Sequence, residues 1–324
     1  MKKVIIAALS VGAVVLAGCA KTEVTDIPDS RYIGFDNAFI GNPTKATVNQ
    51  ITKGQFDNFY VLAYTTDDAN FFSNEKVYLK NDVYVYDDLK QWTQNAGYAF
   101  AAYSNGGYNA ATDGVLTGVT FAKDELQIAG YTVKNDDKRD LVVSISDTDL
   151  ETTNTPVAFT FDHALAMIKF TLNNGVGDND IQITDFTVKQ VPNTATMTLN
   201  ADGIKWGATS ANTDFTSADF TSTQETAGES DEFVVIPVTS GVNLEIAFTA
   251  TVTKTGGTQI TNDLKSTIAA YTWQPGYRYN YVATITGTDL NVIEFADPEV
   301  TPWEGFSNPN DGNPDPEIPL VDAQ

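Results

Sequence analysis

Cysteine and histidine, the side chains that most often carry nucleophilic or metal chemistry, are almost absent from this sequence. There is one of each, Cys19 and His163. A chain with a single thiol can form no internal disulfide and no cluster of thiolate ligands. The motifs of serine hydrolases, zinc proteases and phosphate-binding loops are also missing. We therefore expect no catalytic residue, no metal, no cofactor and no enzymatic activity.

The remaining polar candidates for chemistry are better explained as structural residues. His163 is in phase with the apolar residues Phe161 and Leu165, so it is predicted to point inward from a strand. Adjacent carboxylates occur at Asp67-Asp68 and Asp87-Asp88. Neighbouring residues on a strand face opposite ways, so these pairs do not predict a catalytic dyad and are interpreted as solvated turns.

Positive charge is scarce as well. The chain has 19 Lys and Arg against 42 Asp and Glu, a formal net charge of −23. This balance disfavours nucleic acid and anionic lipid surfaces as partners. We interpret the excess of carboxylates as a source of solubility and mutual repulsion outside the cell, rather than as a cation-binding feature.

The N-terminal apolar run, residues 4–16, is too short to span a bilayer. Lys2 and Lys3 precede it, and it ends in Leu16-Ala17-Gly18-Cys19, which is typical of a bacterial lipoprotein signal. Residues 1–18 are therefore predicted to be a signal peptide, and Cys19 is predicted to be lipidated. Several acyl chains on Cys19 would hold the protein in a membrane leaflet.

Helical periodicity is almost missing, and many short strands separated by turn signals predict an all-β chain built of β-sandwiches. A Thr- and Asn-rich stretch places a domain boundary at 155/156, giving domains 46–155 and 156–303 and a flexible Pro-rich tail, 304–324. Residues 87–95 are a helix candidate, and residues 207–232 are expected to form a loop. A phase change within residues 159–172 predicts a β-bulge, and a second one follows Ile183.

The first candidate strand after the signal covers residues 32–40. Ile33, Phe35 and Phe39 share one face at period two, and Tyr32 lies on the other. Gly41-Asn42-Pro43 ends the strand, and Thr44-Lys45-Ala46 follows in a polar segment without apolar periodicity. A segment of this kind is expected to be accessible to proteases.

Five features occur in order along the chain: the signal ending at Cys19; Ile33-Gly34-Phe35 followed by Thr44-Lys45-Ala46; Gln55-Phe56-Asp57-Asn58-Phe59-Tyr60-Val61; Phe161-Asp162-His163-Ala164-Leu165-Ala166; and Trp273-Gln274-Pro275-Gly276-Tyr277-Arg278-Tyr279 with Val300-Thr301-Pro302-Trp303 behind it. In this order they resemble the fimbrillin family of Bacteroidetes, the FimA- and Mfa-like pilins of the type V pilus.

The resemblance implies two tandem transthyretin-like Greek-key β-sandwich domains and transport as a lipoprotein to the outer membrane. It also implies that a trypsin-like or gingipain-type protease cuts between Lys45 and Ala46, with Arg31 and Lys53 as alternative sites. The cut would remove the propeptide, residues 19–45, together with the strand residues Tyr32, Ile33, Phe35, Phe39 and Ile40. A strand from another pilin subunit would fill the groove, so the chain is expected to be a structural subunit of an adhesive surface fimbria.

Two alternatives stay open at this point. The donated strand could come from residues 291–303 or from residues 318–321, and the prolines within 307–317 argue against the stretch between them. The chain could instead be a glycan-binding surface lipoprotein, if its tyrosines and four tryptophans formed an exposed stacking row. We favour places in the core and on strand surfaces for these residues, and the tryptophans are Trp92, Trp206, Trp273 and Trp303.

Overall fold

The computed structural model describes residues 32–40, 58–81, 83–93, 96–105, 114–133, 139–146, 155–254, 256–286, 290, 293 and 295–303. Their regular structure is entirely β. The strands are β1 (Phe35–Ile40), β2 (Asn58–Thr65), β3 (Phe72–Lys80), β4 (Val83–Val85), β5 (Tyr98–Asn105), β6 (Val119–Ala122), β7 (Glu125–Thr132), β8 (Leu141–Ile145), β9 (Val157–His163), β10 (Ala166–Gly175), β11 (Ile181–Asn200), β12 (Gly203–Trp206), β13 (Ala211–Thr216), β14 (Phe220–Ser222), β15 (Gly228–Glu229), β16 (Phe233–Val235), β17 (Val238–Thr253), β18 (Gln259–Trp273), β19 (Tyr277–Thr286) and β20 (Glu299–Pro302).

The first sheet has seven strands in the order β1-β9-β8-β5-β2-β3-β4. β2, with apolar residues on both faces, lies between β5 and β3. β3 and β4 form a hairpin whose turn contains Asn81 in the left-handed region, at φ 52°. β1 pairs in parallel with β9 at one edge of the sheet.

The other two sheets are built around long strands. A five-stranded sheet runs β15-β10-β19-β20, with β16 also paired to β10, and its β10–β19 pair is parallel. An eight-stranded sheet runs β18-β17-β11-β7-β6, with β12, β13 and β14 also paired to β11. A turn at Gly256-Gly257 joins β17 and β18, and both glycines have positive φ, at 103° and 88°.

Two apolar clusters lie on opposite faces of the first sheet. Phe59 and Val61 of β2 face the smaller cluster, whereas Tyr60 and Leu62 face the larger one. The larger cluster continues into the other two sheets through residues such as Phe170. Because side chains alternate along a strand, a sheet covered on both faces needs apolar residues at every position of its central strands, as β2 has.

The structure confirms the all-β fold class and corrects three local predictions. Within the described part of residues 87–95 there is no helix. Residues 207–232 are not one loop, because β13, β14 and β15 lie within them. The phase change within residues 159–172 is not a bulge: β9 ends at His163, and β10 begins at Ala166 in a different sheet. The second phase change does coincide with shifts of register along β11.

Strand pairing crosses the predicted boundary at 155/156 in both directions. β9 follows the boundary but pairs with β8 and β1, and β7 precedes it but pairs with β11. The two-domain, transthyretin-like division stays a prediction. Across the described residues, no helix combines the length and hydropathy needed to cross a bilayer.

Candidate functional site: the groove filled by the first strand

β1 lies at the edge of the first sheet and pairs with one strand, β9, through a parallel ladder. Phe35 is opposite Val157, and Ile40 is opposite Phe161, with a shift of register between Asp36 and Phe39. On its other side, the segment preceding β1 reaches the residues that follow β4, through a bridge from Tyr32 to Gln91. The first strand thus fills a groove between β9 and residues 90–91.

Two side chains of this segment point into the smaller apolar cluster. Ile33 is 0% exposed and Phe35 is 2% exposed. The Phe35 ring is surrounded by aromatic rings, with centroid distances between 5.5 and 6.3 Å, from Phe59, Phe72, Tyr86, Phe100 and Phe159. Four of these contacts are edge-to-face and the one with Phe159 is stacked, which are the geometries that aromatic rings prefer. Phe35 is therefore a central member of this core.

Main-chain hydrogen bonds hold the segment on both sides. The Ile33 N–H donates to the Lys90 carbonyl at 2.9 Å, and the Val157 N–H donates to the Gly34 carbonyl at 2.8 Å. The Tyr86 hydroxyl donates to the Ile33 carbonyl at 2.7 Å. Desolvation by burial raises the pKa of Tyr86 to about 12, so this hydroxyl keeps its proton at neutral pH and remains a donor.

The structure describes part of the predicted site. Ile33 and Phe35 are buried as predicted, and Tyr32 is half-buried. Phe39 and Ile40 lie in β1, and only their backbone is described. The predicted lipidation residue Cys19, the predicted cleavage residues Lys45 and Ala46, and the alternative sites Arg31 and Lys53 lie outside the described residues.

His163 is buried, as the sequence predicted. Its Nδ1 lies 2.7 Å from Oδ2 of Asp140, and both side chains are 0% exposed. The sequence did not reveal Asp140 as its partner, because nothing in the spacing of the two residues signals that contact. No described polar atom bonds to His163 Nε2.

The tryptophans do not form an exposed row. Trp273 and Trp303 are 1% and 0% exposed, and the indole N–H of Trp273 donates to the Tyr281 hydroxyl. Trp92 and Trp206 are half-buried, and the indole N–H of Trp206 donates to the Ala164 carbonyl. These positions agree with the core role that the sequence favoured.

The chain thus combines an all-β core with a first strand that fills a groove in that core. The family model described as fimbrillin-like matches residues 44–303. Since that match covers well over half of the sequence, the chain belongs to the fimbrillin-like family. A comparison with curated protein sequences found no match.

Solved structures show a similar fold at low sequence identity. A fimbrial protein from Bacteroides vulgatus is 18% identical, with a TM-score of 0.61, covering 85% of this chain and 100% of that one. A candidate cell adhesion protein from Bacteroides ovatus is 14% identical, with a TM-score of 0.50, covering 85% of this chain and 98% of that one. These similarities support the β-sandwich fold and, at such identities, nothing more specific.

Proposed function

We propose that this protein is a structural subunit of a cell-surface fimbria, assembled by proteolytic removal of its first strand and donor-strand exchange, and that the fimbria supports adhesion. Membership of the fimbrillin-like family supports the fimbrial role. The observation that carries the assembly step is the position of Phe35. It completes the smaller apolar cluster, yet it belongs to a segment upstream of Lys45.

Removing the first strand would greatly lower the free energy of unfolding. Burial of Ile33 and Phe35 alone contributes roughly 3–6 kcal/mol, at about 1.5–3 kcal/mol for each large apolar side chain. That is comparable with the net stability of a whole domain, which is about 5–15 kcal/mol. The edge of β9 would also lose its ladder partner. A strand supplied by another molecule restores both the side-chain contacts and the ladder, which is β-strand addition.

The partners that follow from this proposal are other copies of this pilin or related subunits, together with a trypsin-like or gingipain-type protease. Before the cut, the lipid on Cys19 would hold the precursor at the outer membrane. After it, the mature subunit would leave that anchor and join the fimbria. The cut between Lys45 and Ala46 is the proposed trigger, because it separates the first strand from the rest of the chain.

The test treats purified precursor with trypsin and follows two readouts, the new N-terminal residue by mass spectrometry and the appearance of multimers on native gels. We expect a mature form beginning at Ala46 and a ladder of multimers. Lys45→Ala should abolish the form that begins at Ala46, and the control Lys53→Ala should leave both readouts intact. A mature form that begins at Ala46 and stays monomeric would overturn donor-strand exchange, and a cut after Arg31 alone would overturn removal of the strand.

A further inference from the structure

We propose that a polar cavity between the first sheet and the eight-stranded sheet binds a sugar unit that carries a carboxylate, such as a uronic or sialic acid. The cavity has a volume of about 270 Å³ and lies between the end of β5 and the second half of β7. This inference rests on the proposed function only for its purpose, which is adhesion, because binding can be measured on the unprocessed chain.

The cavity and the groove filled by β1 lie on opposite faces of the first sheet. Asn105, the last residue of β5, lines the cavity. By alternation along β5 it shares a face with Tyr103, which belongs to the larger apolar cluster. Phe35 of β1 packs in the smaller cluster. A ligand in the cavity therefore does not compete with the strand that fills the groove.

The shape of β7 leaves room for the cavity, which residues 128–132 line. The ladder between β6 and β7 ends at the pair of Val119 and Ile128, so β6 does not cover the rest of β7. At the same place the register of β7 shifts against β11, and Gly130 has a φ of 63°. This irregularity is a β-bulge, a feature that re-aims side chains and is common beside functional sites.

A buried amide offers a hydrogen-bond donor to the cavity. Asn105 is 7% exposed, and its Oδ1 accepts a hydrogen bond from the Tyr131 hydroxyl at 3.0 Å. Among the described residues, none accepts a hydrogen bond from Nδ2 of Asn105. Buried amide groups are normally paired, because an unpaired buried donor is costly. An acceptor oxygen of a ligand would supply the missing partner.

The wall formed by residues 115–117 is fixed on both sides. The Leu116 N–H donates to the Tyr103 hydroxyl at 3.0 Å, and the Leu116 carbonyl accepts a hydrogen bond from Nδ2 of Asn74 at 3.2 Å. Gly114 brings the chain close to β5, since an added Cβ there would lie 3.1 Å from the Asn105 carbonyl oxygen. A wall that is ordered before the ligand arrives loses little conformational entropy on binding.

The charge of the lining favours an anion. Arg139 is half-buried and lines the cavity, and none of the described lining residues carries a carboxylate. This is notable in a chain with 42 Asp and Glu against 19 Lys and Arg. Asp140 follows Arg139, but its side chain is 0% exposed and lies against His163. The guanidinium of Arg139 and the amide of Asn105 are planar donors, which match the geometry of a carboxylate.

The remaining lining residues favour a sugar over a simple anion. Thr117 is exposed, and its hydroxyl can both donate and accept a hydrogen bond. Val115 is 49% exposed, an unusual position for a large apolar side chain in the described part of this protein. Sugar rings present hydroxyls at their edges and C–H groups on their faces, so these two side chains offer a contact to each.

The overall charge favours a single acidic sugar over a long polyanion. A polyanion would extend beyond the cavity and be repelled by the net charge of −23. A single carboxylate inside the cavity is close to Arg139 and is separated from most surface carboxylates by more than a screening length.

Calorimetry on the unprocessed protein tests binding. The acidic probes are the methyl glycosides of glucuronic acid, galacturonic acid and N-acetylneuraminic acid, and the comparisons are methyl glucoside, methyl galactoside and acetate. At least one acidic glycoside should bind about tenfold more tightly than every comparison, and its affinity should fall as salt is added. Equal affinity for a neutral glycoside would overturn the role of the carboxylate. Equal affinity for acetate would overturn the sugar, and binding by none of the acidic glycosides would overturn the site.

A change at the rim tests the position of the ligand. Val115→Asp should weaken binding of the acidic glycoside by about tenfold or more, because the added carboxylate repels that of the ligand. Val300→Asp is the matched control, since Val300 is 51% exposed, lies in β20 and is not part of the lining. Equal affinities for these two variants would show that the ligand binds elsewhere.

Changes to the two planar donors test their roles. Arg139→Gln should weaken binding by roughly tenfold to a hundredfold and remove most of its salt dependence, whereas the exposed control Lys265→Gln should leave both unchanged. Asn105→Asp keeps an acceptor for the Tyr131 hydroxyl but replaces the donor Nδ2 by an oxygen, so it should abolish binding. Its thermal midpoint shows whether it folds, and if it does not, Arg139→Gln decides. An Arg139→Gln affinity equal to that of Lys265→Gln would overturn the site.

The outcomes separate this inference from the function on which it rests. If the processed protein forms multimers but no acidic glycoside binds, the fimbrial role stands and the sugar site is overturned. If an acidic glycoside binds and the processed protein stays monomeric, the site stands and donor-strand exchange is overturned. Val115→Asp should still form multimers after trypsin treatment, because the cavity and the groove lie on opposite faces of the sheet.

Discussion

The imidazole of His163 stacks on the indole of Trp303, with ring centroids 4.6 Å apart and an angle of 10° between the rings. His163 is the last residue of β9, in the seven-stranded sheet, and Trp303 directly follows β20, in the five-stranded sheet. Oδ2 of Asp140 lies 2.7 Å from Nδ1 of the same imidazole. The contact therefore joins the strand that pairs with β1 to the point where the C-terminal tail begins.

Trp303→Ala should destabilise the protein by about 3–5 kcal/mol, because it removes a fully buried indole and leaves a cavity beside His163. Val300→Ala is the matched control, since Val300 lies in β20, three residues before Trp303, and is 51% exposed, and its effect should be within about 0.5 kcal/mol. Urea denaturation followed by circular dichroism measures both. Equal midpoints for the two variants would contradict the packing role of Trp303.

Phe35→Ala should destabilise the precursor by about 3–5 kcal/mol and leave the processed form unchanged, because the processed form no longer contains residue 35. Phe121→Ala is the control. Phe121 is 6% exposed in the other apolar cluster, and it is present in both forms, so its loss should destabilise both. Thermal unfolding before and after trypsin treatment distinguishes them. A Phe35→Ala effect that persists after processing would mean that the first strand stays bound.

Tyr86 should make the precursor sensitive to alkali. Its pKa is raised by burial from 10.0 to about 12, so its contribution to stability is fully present below about pH 10 and is lost as the pH rises through 12. Two pKa units correspond to about 3 kcal/mol. Wild-type protein should therefore lose about 2 kcal/mol more stability than Tyr86→Phe between neutral pH and pH 12, where about half of the folded molecules have ionised Tyr86.

Burial also raises the pKa of Tyr103 and of Tyr279, but these two residues titrate alike in the wild type and in Tyr86→Phe. The difference in stability between the two proteins therefore reports Tyr86 alone. Urea midpoints measured across the alkaline range give the difference. Parallel curves for the wild type and Tyr86→Phe would show that the Tyr86 hydroxyl is not a buried donor to the Ile33 carbonyl.

Gly228→Ala should destabilise the protein by about 1–3 kcal/mol. An added Cβ would lie 2.8 Å from the Phe220 ring and 3.0 Å from both the Ser222 nitrogen and the Thr221 oxygen, and backbone atoms within a sheet cannot readily move away. Gly207→Ala is the control, since its Cβ would meet the Thr196 oxygen at 3.5 Å, an ordinary contact. Similar thermal midpoints for the two variants would contradict this close packing of β14 against β15.

The sequence predicts the features whose signals are local, such as the all-β class and the inward face of the first strand. The predicted loop at residues 207–232 is wrong, because this mostly polar stretch contains strands stabilised by ladder hydrogen bonds to β10 and β11. Backbone pairing of this kind depends on a neighbouring strand and leaves little trace in side-chain periodicity.

The candidate site was also predictable only in part. The inward phase of Ile33, Phe35 and His163 could be predicted, because alternation alone decides which face of a strand is apolar. Their partners could not. Asp140 lies 23 residues before His163, and the five rings around Phe35 come from positions scattered between residues 59 and 159.

By itself, the sequence determined the all-β class, the place of the first strand and its inward side, since each depends on neighbours within a few residues. Only the tertiary structure decided that β1 lies in parallel beside β9, that the chain changes sheets between His163 and Ala166, and that Trp303 closes against that junction. These features depend on which distant strands pair. The pairing of distant strands depends on the total burial and hydrogen bonding of the folded chain, so it cannot be predicted from any short stretch of sequence.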